Sequence, residues 1–462
     1  MTAFSDFPGS FRGPVLRPGD SGYDSAREIF NRRAMSTPAL IARCADAQDI
    51  QTAMRYAARN RMPVAIRGGG HMTEGFAAPR DALVLDMSLL RAVTVDPERR
   101  LVRAQPGVLL GEFDRATQRH GLATTAGTVT TTGVAGLTLG GGVGFLMRQF
   151  GVTVDNLVSC DVVTAAGEVV QASETENPDL FWALRGGGGN FGVVTSFQYR
   201  AHQVGPEVVR GRLIYPIDQA AELLPRIGEY LHTAPRDVMA ILALGTGPDL
   251  PEMPDSVRAK PALIVILGYT GNPAMADRVL EPLERFGKPA VRLIEKTAYT
   301  VLNSTLDVLA PWQRSWHTTG GYLSGLTEDV AVLLVEKAIE APTLGPTSAT
   351  GVALWAMGGA VEDVAEESMA FSRANAAYIF EAIANWQDPG HAEPLTGWVD
   401  SLAAAIRPHR LPNAYINLGV ADRPDWLRDA YGAAKYQRLV ELKTRWDPDN
   451  LLRFNKNISP SG

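Results

Sequence analysis

The residues of this 462-residue chain that first invite a chemical reading are glycines. Gly68, Gly69 and Gly70 follow the β-rich run Pro63 to Ile66, with Arg67 just before them and His71 directly after. A triple glycine behind a buried strand permits positive φ and lets backbone N–H groups approach a ligand with no Cβ in the way. Several such amides converging form a cradle for an anionic diphosphate, and Arg67 would stand beside it as a positive charge. Gly140 to Gly144 and Gly186 to Gly189 are further clusters of the same kind. Tight turns also use glycine for steric reasons alone, so any one cluster by itself reads either way.

Other chemistries lack their residues. Gly140 to Gly144 is without the preceding strand and following acidic residue of a Rossmann fingerprint, and no Gly-Lys-Ser or Gly-Lys-Thr forms a P-loop. His317, His391 and His409 have no carboxylate or cysteine partners at metal-ligand spacing, so no metal is expected. A nucleophile-elbow sequence for Ser/His/Asp hydrolysis is absent too.

The elements that must position the glycine clusters come in α/β order. Ala39 to Arg43 reads as a strand, Asp46 to Asn60 as a helix and Pro63 to Ile66 as a strand. Strands are expected at Ala82 to Leu85, Ala92 to Val95 and Leu101 to Ala104, then a helix over Leu110 to His120. Cys160 to Val163, Val169 to Ala172 and Phe191 to Tyr199 read as strands around a helix at Asp179 to Leu184. Beyond Ala201 the texture changes to strands such as Val208 to Ile214, Ala262 to Tyr269, Thr350 to Trp355 and Ala377 to Trp386 among amphipathic helices, which suits one antiparallel sheet. A last helix is expected over Ala434 to Trp446. Trp312 and Trp316 fall in no motif and read as core.

Bulk properties set the frame. The length favours two domains around one site. Apolar residues make up 45% and charged residues 20%, and the net charge of -6 offers no basic surface for nucleic acid. No apolar run reaches membrane-spanning length, and Met1 to Asp20 has no signal-peptide core, so a cytoplasmic protein with no membrane partner is expected. Cys44 and Cys160 are too few for a disulfide framework and read as packed thiols.

Taken together, the motifs carry a resemblance. Val64 to His71, Gly133-Val134-Ala135-Gly136-Leu137 running into Gly140 to Gly144, Asp155-Asn156-Leu157, Asn177 to Val194, and the tail from Tyr436 to Ile458 occur in the order found in the berberine-bridge-enzyme-like FAD-linked oxidases. That family belongs to the vanillyl-alcohol-oxidase, or p-cresol-methylhydroxylase, flavoproteins. The resemblance implies an α+β, two-domain fold of the p-cresol-methylhydroxylase type. Residues 1–200 and a returning segment 405–462 would hold FAD, and residues 201–404 would form a substrate domain on an antiparallel sheet.

It also implies roles. His71 matches the histidine that bonds covalently to the 8α-methyl of FAD, where an imidazolyl substituent would make the flavin a better hydride acceptor. Relatives with a second, cysteinyl link carry it in a Gly-Thr-Cys run; here Gly127-Thr128-Val129 puts valine in that place, so a single link is expected. Gly68, Gly69, Gly70 and Met72, with Arg67, match the diphosphate loop. Thr132, Gly133, Ala135 and Gly136 match the segment beside the isoalloxazine, Asp155 and Asn156 a turn near it, and Gly192 and Val194 the adenosine end. For Asp155, an Asx-turn or cap reads as well as contact. Tyr415 and Asn417 match a Tyr-x-Asn strand in which the tyrosine reaches the substrate region and the asparagine the flavin.

Glu381 matches a sheet-borne glutamate or glutamine near the substrate. Period-2 alternation from Tyr378 to Trp386 groups it with Ile379 and Ile383, and a carboxylate among apolar neighbours is raised in pKa and poised as a base. A solvated strand glutamate is the other reading. Leu137 and Leu418 replace a histidine and an aromatic common in the family. The expected activity is an oxidase taking a hydride from a small organic molecule, an alcohol, phenol or secondary metabolite, with O₂ as acceptor and H₂O₂ as product. A dehydrogenase with another acceptor, or a non-catalytic flavin-binding protein, are the alternatives.

Overall fold

Alternation along the strand Tyr378–Trp386 fixes what each of its faces meets. Tyr378, Phe380, Ala382, Ala384 and Trp386 point into a core shared with the helices Ala220–Thr233, Ala276–Arg285, Glu328–Ile339 and Ala392–Ile406. On the opposite face Ile379 joins a second core with Ile241, Trp355 and Tyr415, while Glu381 and Ile383 border a cavity. Helices thus cover one side of the sheet and leave the other free to roof a site.

The sheet has seven strands, antiparallel throughout. Their order is Val291–Ala298, Glu207–Pro216, Pro261–Tyr269, Val238–Thr246, Ser348–Ala356, Tyr378–Trp386, Ser315–Leu323. This computed structural model describes residue 4 and residues 6–373, 375–419 and 425–461, so the stretch Met1 to Asp20 falls partly outside it. Among the described residues no helix is long and apolar enough to cross a membrane, and no group of three His, Cys, Asp or Glu side chains could hold a metal ion.

Two of the glycine clusters adjoin strands of two smaller sheets, Gly68 to Gly70 after Val64–Arg67 and Gly186 to Gly189 before Val193–Arg200. Leu40–Arg43 and Val64–Arg67 flank Leu83–Asp86 in parallel, and the helix Ala47–Asn60 connects the outer two. Asp46 caps that helix by accepting from the N–H groups of Gln48 and Asp49 at 2.9 and 3.0 Å. The antiparallel second sheet runs Val93–Asp96, Leu101–Ala104, Val193–Arg200, Leu157–Val163, Val169–Ser173. Mixed helices and antiparallel sheets make this an α+β fold.

The helix Ala433–Trp446 brings the tail against the second sheet, where Leu439 and Leu442 enter its core. Lys443 Nζ, fully buried, donates to Asp447 Oδ2 at 2.7 Å, to Asn190 O at 3.0 Å and to Leu452 O at 3.1 Å. Asp447 in turn accepts from the N–H groups of Leu451 and Leu452 at 2.8 and 2.9 Å. With every polar atom matched, removing one partner of such a pair costs about 3–5 kcal/mol. The pair ties the tail to the Gly188–Asn190 turn.

Two differences from the sequence reading stand out. Tyr415-Ile416-Asn417 is a turn rather than a strand, closed by hydrogen bonds from Leu418 N and Gly419 N to Tyr415 O at 3.1 and 2.9 Å. Val238–Thr246, Val291–Ala298 and Ser315–Leu323 are sheet strands beyond those singled out. The last contains Gly320-Gly321, a poor strand former alone, held in register by Glu381 and Phe380 opposite.

Candidate active site

A cavity of about 420 Å³ runs from the glycine loops to the concave face of the seven-stranded sheet. Gly68, Gly69, Gly70, His71, Met72, Thr132, Gly133, Ala135 and Gly136 border it, as do Gly192 and Val194 from the second sheet. Glu381, Tyr415 and Asn417 border it as well. The chain thus brings together residues more than 300 positions apart in sequence.

Gly69 and Gly133 meet backbone to backbone: a Cβ on either would lie 2.3 Å from the other's nitrogen. Only two glycines allow this approach, which sets the His71 loop against the start of the helix Val134–Leu139. A Cβ on Gly136 would meet nothing within 4 Å, so this part of the wall is open to a ligand.

Three predicted residues are not brought to the cavity. Val64 and Ile66 border it, so strand alternation turns Arg67 to the other face, where its guanidinium donates to Ala26 O. Asp155 pairs with Arg373 and accepts from Val152 N at 2.8 Å, which is the turn-closing reading. Asn156 donates to Phe150 O and Val152 O, at 2.9 and 3.1 Å, and also contacts His202.

His71 stacks on Phe30 with ring centroids 3.9 Å apart, and Phe30 stacks in turn on Trp316 at 4.7 Å. Burial pushes the His71 pKa down to about 4, so the ring is neutral. Its Nε2 lies 3.3 Å from Thr131 Oγ1. Trp316, read as core from the sequence, is buried but borders the cavity, and Trp312 meets His71 edge-on at 6.0 Å.

Glu381 has Gly320 and Ala353 as its cross-strand neighbours, and these small residues leave space beside its carboxyl. Among the described residues it has no hydrogen-bond or ion-pair partner, and burial alone raises its pKa to about 7. Tyr415 Oη accepts from Asn417 Nδ2 at 3.0 Å and from Gly142 N at 3.2 Å. Burial raises the phenol to about 12, with the Glu381 carboxylate adding to the rise and the donated hydrogen bonds opposing it. Asn417 Nδ2 also reaches Leu137 O at 3.1 Å, which fixes the turn against the glycine-rich segment.

Glu381 and Lys456 are the only charged side chains bordering the cavity among the described residues. Lys456 pairs with Glu74 and donates to Gly419 O at 2.7 Å. Ile241, Ala243, Ile266, Ala353 and Ile383 make the sheet-side wall apolar. Val129 borders the cavity, whereas the buried cysteines Cys44 and Cys160 do not.

Residues 38–173 match the family model of an FAD-binding domain, and residues 414–459 match the model described as berberine and berberine like. The chain thus carries an FAD-binding domain and a berberine-like segment, and over nearly its whole length it is similar to proteins named FAD-linked oxidoreductases. It is 29% identical to (R)-6-hydroxynicotine oxidase of Paenarthrobacter nicotinovorans over 98% of both chains. Among solved structures, 6-hydroxy-D-nicotine oxidase from Arthrobacter nicotinovorans superposes with a TM-score of 0.86, at 25% identity, over 98% of this chain and 99% of that one. Glucooligosaccharide oxidase from Acremonium strictum, whose flavin is described as 6-S-cysteinyl, 8α-N1-histidyl FAD, shares the fold with a TM-score of 0.87 at 20% identity, over 97% of each chain.

The relatives are named as FAD-linked oxidoreductases and oxidases, and the open glycine wall fits a flavin dinucleotide. Sequence reasoning missed Phe30, Lys456, Gly188 and Gly189 and the side wall made by Leu306, Leu309 and Ala310. Gly188, Gly189 and Lys456 lie within motifs that the sequence shows, though none was assigned to the site; the others carry no local signal, because their partners are supplied by distant chain segments.

Proposed function

We propose that this protein is an FAD-dependent oxidase that takes a hydride from a small alcohol, phenol or secondary metabolite and passes the electrons to O₂, releasing H₂O₂. The observation that carries the reading is Glu381: an unpaired carboxyl with a pKa of about 7, beside Tyr415, on the cavity that His71 and the glycine loops share. Residues 1–200 with 405–462 form the FAD-holding part, and 201–404 the part that covers the substrate. The flavin is tethered once, through His71; Val129 offers no thiol for a second link. The related oxidases favour O₂ over another acceptor.

Bound FAD supplies the hydride acceptor. Gly68 to Gly70, Met72, Gly192 and Val194 would hold its diphosphate and adenosine, while Thr132, Gly133, Ala135, Gly136 and Asn417 would flank its ring. Glu381 removes the substrate's hydroxyl proton, a role its pKa suits near neutral pH. Tyr415 is held by two donors with its own proton free to meet the substrate or Glu381. The apolar sheet wall excludes water and favours a substrate with little charge.

The test starts with the purified protein: yellow colour that stays with the polypeptide after acid precipitation supports the tether. Anaerobic mixing with simple phenols and alcohols should bleach the flavin, and air should restore it with stoichiometric H₂O₂. Bleaching by oligosaccharides and by no phenol or alcohol would overturn the substrate class. Recovery only with an artificial carrier would replace the oxidase by a dehydrogenase.

A further inference from the structure

The segment from Val301 to Ala310 links one edge strand of the large sheet, Val291–Ala298, to the other, Ser315–Leu323, and passes beside the cavity on the way. Leu306, Leu309 and Ala310 border the cavity, while Val308 faces solvent. One carboxylate fastens the segment to the opposite side of the site. Asp307 Oδ1 accepts from Thr130 N at 2.7 Å, and Asp307 Oδ2 accepts from Thr130 Oγ1 at 2.6 Å.

Both donors of Thr130 are therefore committed to a residue 177 positions away. Its carbonyl is committed as well, accepting from Gly111 N at 2.9 Å. The next residue, Thr131, places its hydroxyl 3.3 Å from His71 Nε2. Asp307, Thr130, Thr131 and His71 form one chain of contacts from the cavity's side wall to the histidine. A neutral imidazole has one N–H and one lone pair, and the contact made by one nitrogen decides which of the two the other carries. Thr131 Oγ1 can accept from Nε2–H, and in that arrangement the lone pair falls on Nδ1.

We infer that Asp307 is a positioning residue for the His71 tether, acting through Thr130 and Thr131 to hold the imidazole with Nδ1 as its free nucleophile. This rests on the covalent link proposed above. In forming that link, Nδ1 gains a bond to the flavin's 8α-methyl carbon, and a C–H bond of that methyl breaks as its proton leaves. The Nε2 proton departs on the Thr131 side. The two electrons left on the ring are removed by O₂, the acceptor of the proposed function. Phe30, stacked on the imidazole, restricts the ring's tilt but does not choose its tautomer.

The experiment measures the fraction of flavin that remains with the denatured chain, by intact mass and in-gel fluorescence, at a fixed time after induction. Wild type, Asp307→Ala, Asp307→Asn and Thr131→Val are compared, together with total flavin per chain and thermal midpoint. Asp307→Ala and Thr131→Val should each slow tether formation about tenfold or more, the scale expected when a reacting group loses its orientation. Total flavin and thermal midpoint should stay near wild type. Asp307→Asn, whose amide oxygen still accepts from Thr130 N, should recover most of the tether. Unchanged tethering in Asp307→Ala or in Thr131→Val overturns the inference, as does a loss that only tracks total flavin and thermal midpoint. If Asp307→Ala does not fold, Thr131→Val, which leaves the clamp intact, decides the matter. A wild-type protein with untethered flavin removes the covalent reading itself, a result distinct from a tethered wild type with indifferent variants.

Discussion

Asn417 Nδ2 donates to Tyr415 Oη at 3.0 Å from only two residues away, across a turn of the backbone. With Gly142 N also donating, the phenol's oxygen is held from two sides. Tyr415→Phe removes the acceptor and leaves the buried Gly142 N–H without this partner. We expect kcat to fall about 10²-fold, within the range for a positioned proton-transfer group, with a smaller change in KM. Asn417→Leu should lower kcat less. Steady-state kinetics on any substrate that bleaches the wild-type flavin will check this, and equal kcat for Tyr415→Phe and wild type would remove tyrosine from the chemistry.

Glu381 sets a pH dependence whose sign follows from its role. Burial raises the carboxyl to about 7, and a base must be ionised to act. The rate kcat/KM should therefore rise with pH and level off above about 7. Glu381→Gln should lower it by about 10²–10⁴-fold and abolish that limb. A pH profile that is flat from 5 to 9 in wild type, in the units of about two either side of neutrality, speaks against this base.

Asp114 offers a stability test away from the chemistry. Asn303 Nδ2 donates to Asp114 Oδ2 at 2.6 Å, while Asp114 Oδ1 and Asn303 Oδ1 are both buried without a partner. A proton on Asp114 Oδ1 would supply the donor this pair lacks, and burial raises its pKa from 3.8 to about 7. The unfolded chain releases that proton near pH 3.8, whereas the folded protein keeps it until about 7. The folded state binds more protons in between, so this site's contribution to stability is full below the lower value and declines as pH rises to the upper one. Asp114→Asn cannot ionise. Its thermal midpoint relative to wild type should therefore increase from about pH 4 to 7, and parallel curves would show Asp114 to be ionised throughout.

Local sequence made part of this site legible. Glycine clusters, the histidine after one of them and the alternation that groups Glu381 with Ile379 and Ile383 are short-range features, written within a few residues and read without knowing the fold. The same rule of alternation separates Arg67 from Ile66, and proximity to a motif concealed it. Asp155 likewise sits beside a motif yet closes a turn and pairs with Arg373, a partner 218 positions away.

What the tertiary structure alone decided is the set of contacts between distant segments. Phe30 on His71, Asp307 on Thr130 and Lys456 on Glu74 each join residues whose neighbours in sequence give no sign of the pairing. The cavity, too, exists only once the large sheet turns one face to its helices and the other to the glycine loops. Sequence by itself determined the fold class and the residue types available for chemistry, because backbone conformation and side-chain alternation are local. Which of those residues share a cavity, and with what proton affinity, depended on burial, which belongs to the folded chain as a whole.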